Sequence, residues 1–383
     1  NYEVLARLKE GVQQYAPDLV IADESFRLKN PEAEVTKAFI EIADRTEHVV
    51  LQSGTPIGNG GVGDLYSQLR ALGPQVITEP YWSFVSRYAE VQNVEVGARS
   101  VWKITGIQDP IGLMQRLEPC YHRATKETCL ELPPKKFTIV KLDMDPQVRA
   151  WYDAVEQHGD GVLGNPLSLA TNRVSKIRMH QICGGFLPQY DGNAEVDPDL
   201  PDFGGIDPSI LSTATYRFLP VPCPKINWLE KWTKDNLQDD PSRRAIVWLR
   251  YNMEGHRIAA LLKGILGEDR VAFIYGSKIK NIEVERIKES FNSREDEGIQ
   301  VIVFQIKKGA FGHNLQAGDT HIYFSNDWSF VQKVQSEDRS HRMGREGAVE
   351  YIDLLIENSV DEEVKEALEA HKNFSAQICK ETV

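Results

Sequence analysis

What is missing from this sequence narrows its chemistry before any motif is read. No Gly-Lys dipeptide occurs in its 383 residues. A loop of the form G-x-x-x-x-G-K-[ST], whose backbone N–H groups and lysine hold nucleotide phosphates, is therefore absent from this chain. There are only five cysteines, Cys120, Cys129, Cys183, Cys223 and Cys379. They are widely spaced, with no C-x-x-C pair or histidine cluster, which excludes a zinc site of ordinary spacing and predicts a reducing, cytoplasmic setting. No apolar run approaches the ~20 residues that span a bilayer, and no signal-peptide pattern is present. Positive charge is in deficit, with 44 Lys and Arg against 56 Asp and Glu, a net charge of -12. Any contact with nucleic acid must then be a local basic track, because the chain as a whole repels phosphate. Internal repeats and low-complexity tracts are absent too.

What is present is ordinary globular composition, 41% hydrophobic and 26% charged, with length enough for two or three domains. The first residue is Asn1 and not Met, which leads us to expect a fragment or a processed product.

The most informative stretch is Gln300 to Glu357. An apolar strand over 299–304 leads into a Gly-punctuated loop, Lys307-Lys308-Gly309-Ala310-Phe311-Gly312-His313-Asn314-Leu315. A second strand follows over 320–325, then Asn326-Asp327-Trp328. Next comes Gln335-Ser336-Glu337-Asp338-Arg339-Ser340-His341-Arg342-Met343-Gly344-Arg345. Read as a helix, this places Gln335, Arg339 and Arg342 at i, i+4 and i+7, one polar and cationic face. Arginine suits an anion there, because its planar fork grips phosphate oxygens in pairs and stays charged.

Toward the N-terminus, a helix over 1–15 precedes the apolar run Leu19-Val20-Ile21-Ala22, which ends in Asp23-Glu24. Ligands sit at the carboxyl ends of buried parallel strands. Paired acids there suit a Mg-nucleotide site, one holding the metal and one orienting or deprotonating water; Asp-Glu is also a common helix start. A helix over 32–44 and a strand over 48–51 complete a β-α-β unit, and Ser53-Gly54-Thr55-Pro56 makes a turn. Phe137 to Met144 alternates as a strand, and helices are predicted over 147–156 and 167–183. From Gly184 to Pro224 the composition shifts to Gly, Pro and Asp, with runs at 185–190 and 216–221 that could pair as a hairpin around a long acidic loop. From Lys225 onward helices and strands alternate, helix 226–237, strand 245–249, helix 255–266, strand 271–275, helix 282–291, strand 349–356 and a final helix near 360–380. That order describes a parallel sheet with helices on both faces.

In combination these boxes resemble the superfamily-two helicase-like ATPases, and most closely the Swi/Snf-type DNA translocases. The loop at Gly309, Trp328 and the arginine segment resemble motifs V and VI, G-G-x-G-x-N-L, W and Q-x-x-D-R-x-H-R-x-G-Q. Asp23-Glu24-Ser25-Phe26-Arg27-Leu28-Lys29-Asn30 resembles D-E-[SA]-H-x-[IL]-K-N, with Phe26 in the place of His. Leu51 to Asn59 resembles L-T-G-T-P-I-x-N, with Ser53 in the place of Thr. His122 to Lys126 and Leu132 to Lys135 look like the R-R-T-K and L-P-P-K markers, although Arg123 and Lys126 could simply be a solvated turn. Gln305 stands where Ser or Thr is usual, and Lys308 and His313 where small or apolar residues are.

The resemblance implies an α/β fold of two RecA-like lobes, parallel sheets flanked by helices. The first lobe would be truncated at its N-terminus, since a phosphate cradle should precede the Asp-Glu box and only 22 residues do. Residues 1–130 would be the C-terminal part of lobe 1 with motifs II and III. Residues 131–224 would be a connection with a helical insertion and a possible β-hairpin, and 225–383 the lobe 2 core with motifs IV to VI and a C-terminal helix.

The implied function is part of an ATP-dependent translocase on double-stranded DNA, unable to hydrolyse ATP as it stands, its missing lobe segment lying upstream or on a separate chain. ATP and Mg²⁺ are the implied substrate and cofactor. Asp23 and Glu24 would handle the metal and water, Arg339 and Arg342 would reach across the cleft to the γ-phosphate, and Gly312 and Gln335 would position the nucleotide. Ser53, Gly54 and Thr55 would couple the lobes. Arg123, Lys307, Lys308, Asn314 and Trp328 would meet DNA. Compact phage-encoded members look like this, in a bacterial or infected-host cytoplasm near the nucleoid. Two other classes stay open, a non-catalytic DNA-binding or partner-docking module and an RNA-directed helicase of the same superfamily.

Overall fold

The computed structural model describes residues 2–58, 61–96, 99–124, 126–159, 172–190, 216–276, 279–309 and 314–380. Two compact units emerge, one of residues 1–124 with 329–331 and 368–383, the other of 125–328 with 332–367.

In the first unit, β1 (Leu19–Ala22) and β2 (His48–Leu51) pair in parallel, Leu19 opposite His48 and Ala22 opposite Leu51. Side chains alternate across a strand. Val20, Ala22, Val49 and Leu51 pack on one face with Leu28, Phe39 and Ala43, partly under the helices Tyr2–Tyr15 and Glu34–Ala43. The opposite face keeps Leu19, Ile21 and Val50 exposed at 48, 56 and 41%. A second core gathers the helices Gly63–Ala71, Tyr81–Tyr88 and Pro110–Leu117, with Phe84, Val85 and Leu113 fully buried. Asp109 caps the last of these, accepting from Gly112 N at 2.8 Å ahead of Pro110, the residue types a helix start favours. The sequence predicts no element between 70 and 109, yet β3 (Ala89–Val96) and β4 (Arg99–Ile107) form an antiparallel ribbon there, bulged between Glu90 and Val91. Its base packs Val91, Ile104 and Ile107 into the core, while Val94, Val101 and Trp102 stand exposed.

The second unit holds a six-stranded, wholly parallel sheet in the order β5-β12-β11-β8-β10-β9. Its strands are β5 (Lys135–Leu142), β8 (Ala245–Leu249), β9 (Val271–Ile274), β10 (Val301–Gln305), β11 (Thr320–Tyr323) and β12 (Val349–Ile356), with an antiparallel pair β6 (Phe186–Tyr190) and β7 (Tyr216–Pro220) outside it. Every residue of β8, β10 and β11 is buried, as the central strands of a sheet covered on both faces must be. β5, from the stretch read as a connection, is the edge strand of this sheet, Lys135 opposite Val349. The molecule is thus α/β, with the parallel sheet and flanking helices of a RecA-like lobe. The acidic loop predicted between the hairpin strands lies outside the described residues. Among the described residues, no helix is long and apolar enough to cross a membrane.

One correction concerns the arginine segment. The sequence predicts a helix through Arg342, whereas the helix spans Phe330–Glu337 and stops. Ser340 is the physical reason. Its hydroxyl hydrogen-bonds the Leu315 carbonyl and His321 Nε2 in the interior, and Leu315 N donates to Arg339 O at 3.2 Å. The chain leaves the helix to make these bonds.

Candidate functional site

In the first unit the acidic box sits where β1 ends. Asp23 is exposed, and one carboxylate oxygen accepts from Glu24 N at 2.9 Å. Glu24 has left-handed backbone angles, φ 52 and ψ 48, a conformation costing about 1 kcal/mol or more for a residue with a side chain. The strain is locked in by the next residue. Ser25 N donates to Gln52 O at 2.8 Å and its hydroxyl to Gln68 Oε1 at 2.9 Å. Gln68 in turn donates to Pro56 O at 2.8 Å and Asp64 O at 2.7 Å. Gln68, which the sequence reading gave no role, therefore ties the acidic box to the Ser-Gly-Thr-Pro turn; a buried amide two turns into a helix carries no motif signal.

In that turn, Thr55 N donates to Ser53 Oγ at 3.2 Å. Gly54 faces open space. Thr55 is buried, and its hydroxyl has no hydrogen-bond partner among the described residues. A buried orphan hydroxyl is rare and calls for an explanation. Asp64 Oδ2 accepts Gly58 N at 2.9 Å and fixes the turn's far end.

No cluster of three or more His, Cys, Asp or Glu able to hold a metal exists among the described residues. That donor set fits Mg²⁺ better than zinc. Mg²⁺ takes one or two carboxylates and completes its shell with phosphate oxygens and water, a demand that exposed Asp23 at a strand's carboxyl end, with Glu24 next in sequence, could meet.

In the second unit the residues predicted to share one face do not. Gln335 and Arg339 are buried at 8 and 6% exposure, and Arg339 Nε donates to Gln335 O at 2.8 Å. Arg342, beyond the helix, is exposed, its Nε donating to Asp338 O at 3.0 Å. Arg345 closes the loop on Asp319 at 2.8 Å, after Gly344 with φ +84.

The helix carrying Gln335 is anchored by a buried ionic group that the sequence did not reveal. Lys333 Nζ lies 2.6 Å from Asp353 Oδ1 and 2.9 Å from the centroid of the Tyr323 ring. Lys365 takes the other Asp353 oxygen at 2.8 Å, and Asn326 Nδ2 donates at 2.9 Å. Burial alone would raise the Asp353 carboxyl, but Lys333 and Lys365 hold it well below the usual range. Burial pulls Lys333 down, with Asp353 opposing.

The DNA candidates are scattered. Lys307 is exposed and Lys308 half-buried on the single helical turn Ile306–Gly309. Asn314 is exposed, its carbonyl accepting from Asn292 Nδ2 at 3.0 Å. Trp328 is half-buried beside Val148, Tyr152 and Val360, with Lys176 Nζ 5.8 Å from its ring. Arg123 is exposed in the first unit. Gly312 and His313 lie outside the described residues. Gln305 uses its amide structurally, accepting from Gly276 N at 3.3 Å.

Residues 1–183 match the SNF2-related domain. The ISWI chromatin-remodeling complex ATPase ISW1 of Saccharomyces cerevisiae is 24% identical over 371 residues, which cover 96% of this chain and 30% of that protein. Protein CHROMATIN REMODELING 5 of Arabidopsis thaliana is 23% identical, covering 96% of this chain and 20% of that protein. The human SWI/SNF-related matrix-associated actin-dependent regulator of chromatin subfamily A member 1 is 22% identical, with 96 and 32% covered. The chain thus spans about a third or less of these curated relatives. Among solved structures, the Sulfolobus solfataricus SWI2/SNF2 ATPase core in complex with dsDNA is 21% identical with a TM-score of 0.42, covering 95% of this chain and 69% of that one. The domain match and the sequence relatives are consistent with the Swi/Snf-type, superfamily-two helicase-like ATPases that the motifs resemble.

Proposed function

Starting from this Swi/Snf-type kinship, we propose that the chain is part of an ATP-driven translocase on double-stranded DNA, in which Arg342 meets the transferring phosphate. The observation that carries the reading is the contrast between the two arginines. Arg339 is buried and bonded back to Gln335 in the preceding helix, whereas Arg342 is exposed and, among the described residues, its side chain is held through Nε alone, so the outer fork of its guanidinium is presented. Phosphoryl transfer is mostly positioning and charge neutralisation, and an arginine at the γ-phosphate contributes on the order of 10³ to 10⁵ in turnover.

Asp23, with Glu24, would hold Mg²⁺, which when bound neutralises phosphate charge; Glu24 orients or deprotonates the attacking water. Thr55 offers its orphan hydroxyl to whatever fills the turn. Arg339 and Gln335 support the arginine loop from within the unit. Lys307, Lys308, Asn314, Arg123 and Trp328 are the positions offered to the duplex.

The phosphate cradle belongs to polypeptide outside these 383 residues, in an upstream segment or another chain, since no Gly-Lys dipeptide occurs within them. The uncovered apolar face of β1 and β2 is where such polypeptide would pack, because parallel sheets bury both faces. On this reading the chain by itself releases no phosphate from ATP, with or without duplex. The non-catalytic docking module shares that expectation and separates from it in the full-length protein.

The test is duplex-stimulated phosphate release by the full-length protein. Arg342→Ala should lower turnover by about 10³-fold or more. Arg342→Lys should be nearly as damaging, since it loses the planar fork. Duplex affinity without nucleotide should hold, and should fall with salt by about 0.9 log units of affinity per log unit of salt for each phosphate contact. Turnover within a few-fold of wild type for both variants would overturn the assignment, leaving Arg342 a surface ion-pair group worth ~0–1 kcal/mol.

A further inference from the structure

Arg342 sits on an exposed loop, after the helix has ended, and a long side chain there has many rotamers to choose from. Among the described residues its side chain bonds Asp338 O. Something must hold Asp338 and the loop still if the guanidinium is to meet a phosphate within a fraction of an ångström. A residue far away in the sequence does so.

We propose that Lys126 is a positioning residue for Arg342, a clasp that spans the loop and fixes both ends of it. Its ammonium lies 2.7 Å from Asp338 Oδ1 and donates to His341 O at 3.0 Å. Asp338 supplies the carbonyl that Arg342 bonds, and His341 immediately precedes Arg342. One cation therefore bridges the two residues that set where the Arg342 side chain starts and where it is tethered.

Neighbouring contacts brace the same loop from the same direction. Lys135 Nζ lies 3.2 Å from Asp338 Oδ1 and 3.4 Å from Glu337 Oε2. His341 Nε2 lies 2.8 Å from the Pro133 carbonyl. Residues 126 to 135, which could read as a solvated turn in the sequence, thus approach the arginine loop with two lysines and a backbone carbonyl. Lys126 and Asp338 are partly buried, at 35 and 30% side-chain exposure. The ammonium's bonds to both a carboxylate and a carbonyl define a geometry and not merely a charge pairing. An isolated exposed ion pair would do little for stability, so the contribution belongs in orientation, where misplacement by about 1 Å costs up to 10²-fold in rate.

The inference rests on the reading that Arg342 serves the transferring phosphate, and two measurements keep the failures apart. The first is hydrogen exchange on the 383-residue chain. Lys126→Ala should speed exchange at the amides of Arg342 and Arg345, which donate to Ser340 O and Arg342 O, and leave β10, β11 and β12 protected. The melting temperature should stay within about 4 °C of wild type. Unchanged exchange in the loop overturns the clasp, whatever the loop's function.

The second is duplex-stimulated turnover by the full-length protein. Lys126→Ala should lower kcat by about ten- to a hundredfold with KM for ATP within about twofold, since orientation and not ground-state binding is lost. Lys126→Arg keeps the cation beside Asp338 and should retain more turnover than Lys126→Ala. The double variant Lys126→Ala, Arg342→Ala should be no slower than Arg342→Ala alone, because Lys126 acts through Arg342. Normal kcat for Lys126→Ala while Arg342→Ala collapses overturns the clasp and leaves the arginine assignment standing. A further loss in the double variant overturns it too, by showing that Lys126 acts elsewhere. Normal turnover for Arg342→Ala overturns the arginine assignment and this inference with it.

Discussion

β1 and β8 are written in the same language, Leu19-Val20-Ile21-Ala22 and Ala245-Ile246-Val247-Trp248-Leu249, and both pair in parallel. Their fates differ. All five residues of β8 are buried, whereas Leu19 and Ile21 remain 48 and 56% exposed. An apolar run states a demand for cover on both faces, and whether the demand is met depends on chain elsewhere. The difference is one of apolar cover and not of polar groups, since buried hydroxyls without a partner among the described residues occur in both units, Thr36 and Thr55 in the first and Thr233 in the second.

The largest test strikes the covered interior. Lys333→Ala should destabilise the chain by about 3 to 5 kcal/mol, since Asp353 would lose its nearest partner inside the core. Chemical denaturation measures this, and a cost under about 1 kcal/mol would show that Lys365 and Asn326 suffice alone.

A matched pair tests the contrast itself. Leu249→Ala, at a fully buried site, should cost about 2 to 5 kcal/mol, and Leu19→Ala no more than about 0.5 kcal/mol. Equal costs would mean that the β1 face is covered in solution. If further polypeptide covers this face, as proposed above, its presence should raise the Leu19→Ala cost toward the Leu249→Ala value.

A smaller effect comes from Glu254. Its Oε2 accepts from Ser325 Oγ at 2.6 Å and Tyr251 N at 3.1 Å, yet burial pushes the carboxyl up to about 7 from 4.5. Between those values the folded state keeps a proton that the unfolded chain releases, so the Glu254 contribution is full below about pH 4.5 and is lost as pH rises to about 7. His180 works the other way. Burial lowers it from 6.5, and its contribution is lost as pH falls below that value. The stability of wild type relative to Glu254→Gln isolates the carboxyl, and should decline between pH 5 and pH 7 and then level. A difference independent of pH would show that Glu254 is charged throughout.

The smallest effect is at Thr55. Thr55→Val removes a buried hydroxyl without a partner and should raise stability by up to about 1 kcal/mol, while slowing turnover in the full-length protein. Destabilisation instead would show that the hydroxyl is already bonded in the free chain.

Much of the second unit's sheet was legible because β8 and β10 are apolar runs and strands alternate with helices from Lys225 onward. The Asp23 box and the arginine segment were legible as ordered patterns of charge. What escaped was set by contacts distant in sequence. Nothing local says that Ser340 bonds Leu315 and ends a helix that would otherwise carry Arg342, or that Lys126 lies against Asp338. The β3–β4 ribbon escaped for another reason. Beyond its base it has no core to bury, so the alternation that announces a half-buried strand fades toward Val94 and Trp102.

The edge position of β5 has a consequence in time. Its sheet partner among the described strands, β12, begins about 210 residues later, and at about 5 to 20 residues per second a ribosome takes on the order of ten to forty seconds to supply it. Throughout that interval a nascent strand bearing Phe137, Ile139 and Val140 has an open backbone on both sides. Its lysines at 135, 136 and 141 then act as guards against pairing with a neighbouring nascent chain, the role charged residues play on unpaired strands. In the finished protein Lys135 turns to Asp338, so one side chain serves first in synthesis and then in the folded loop.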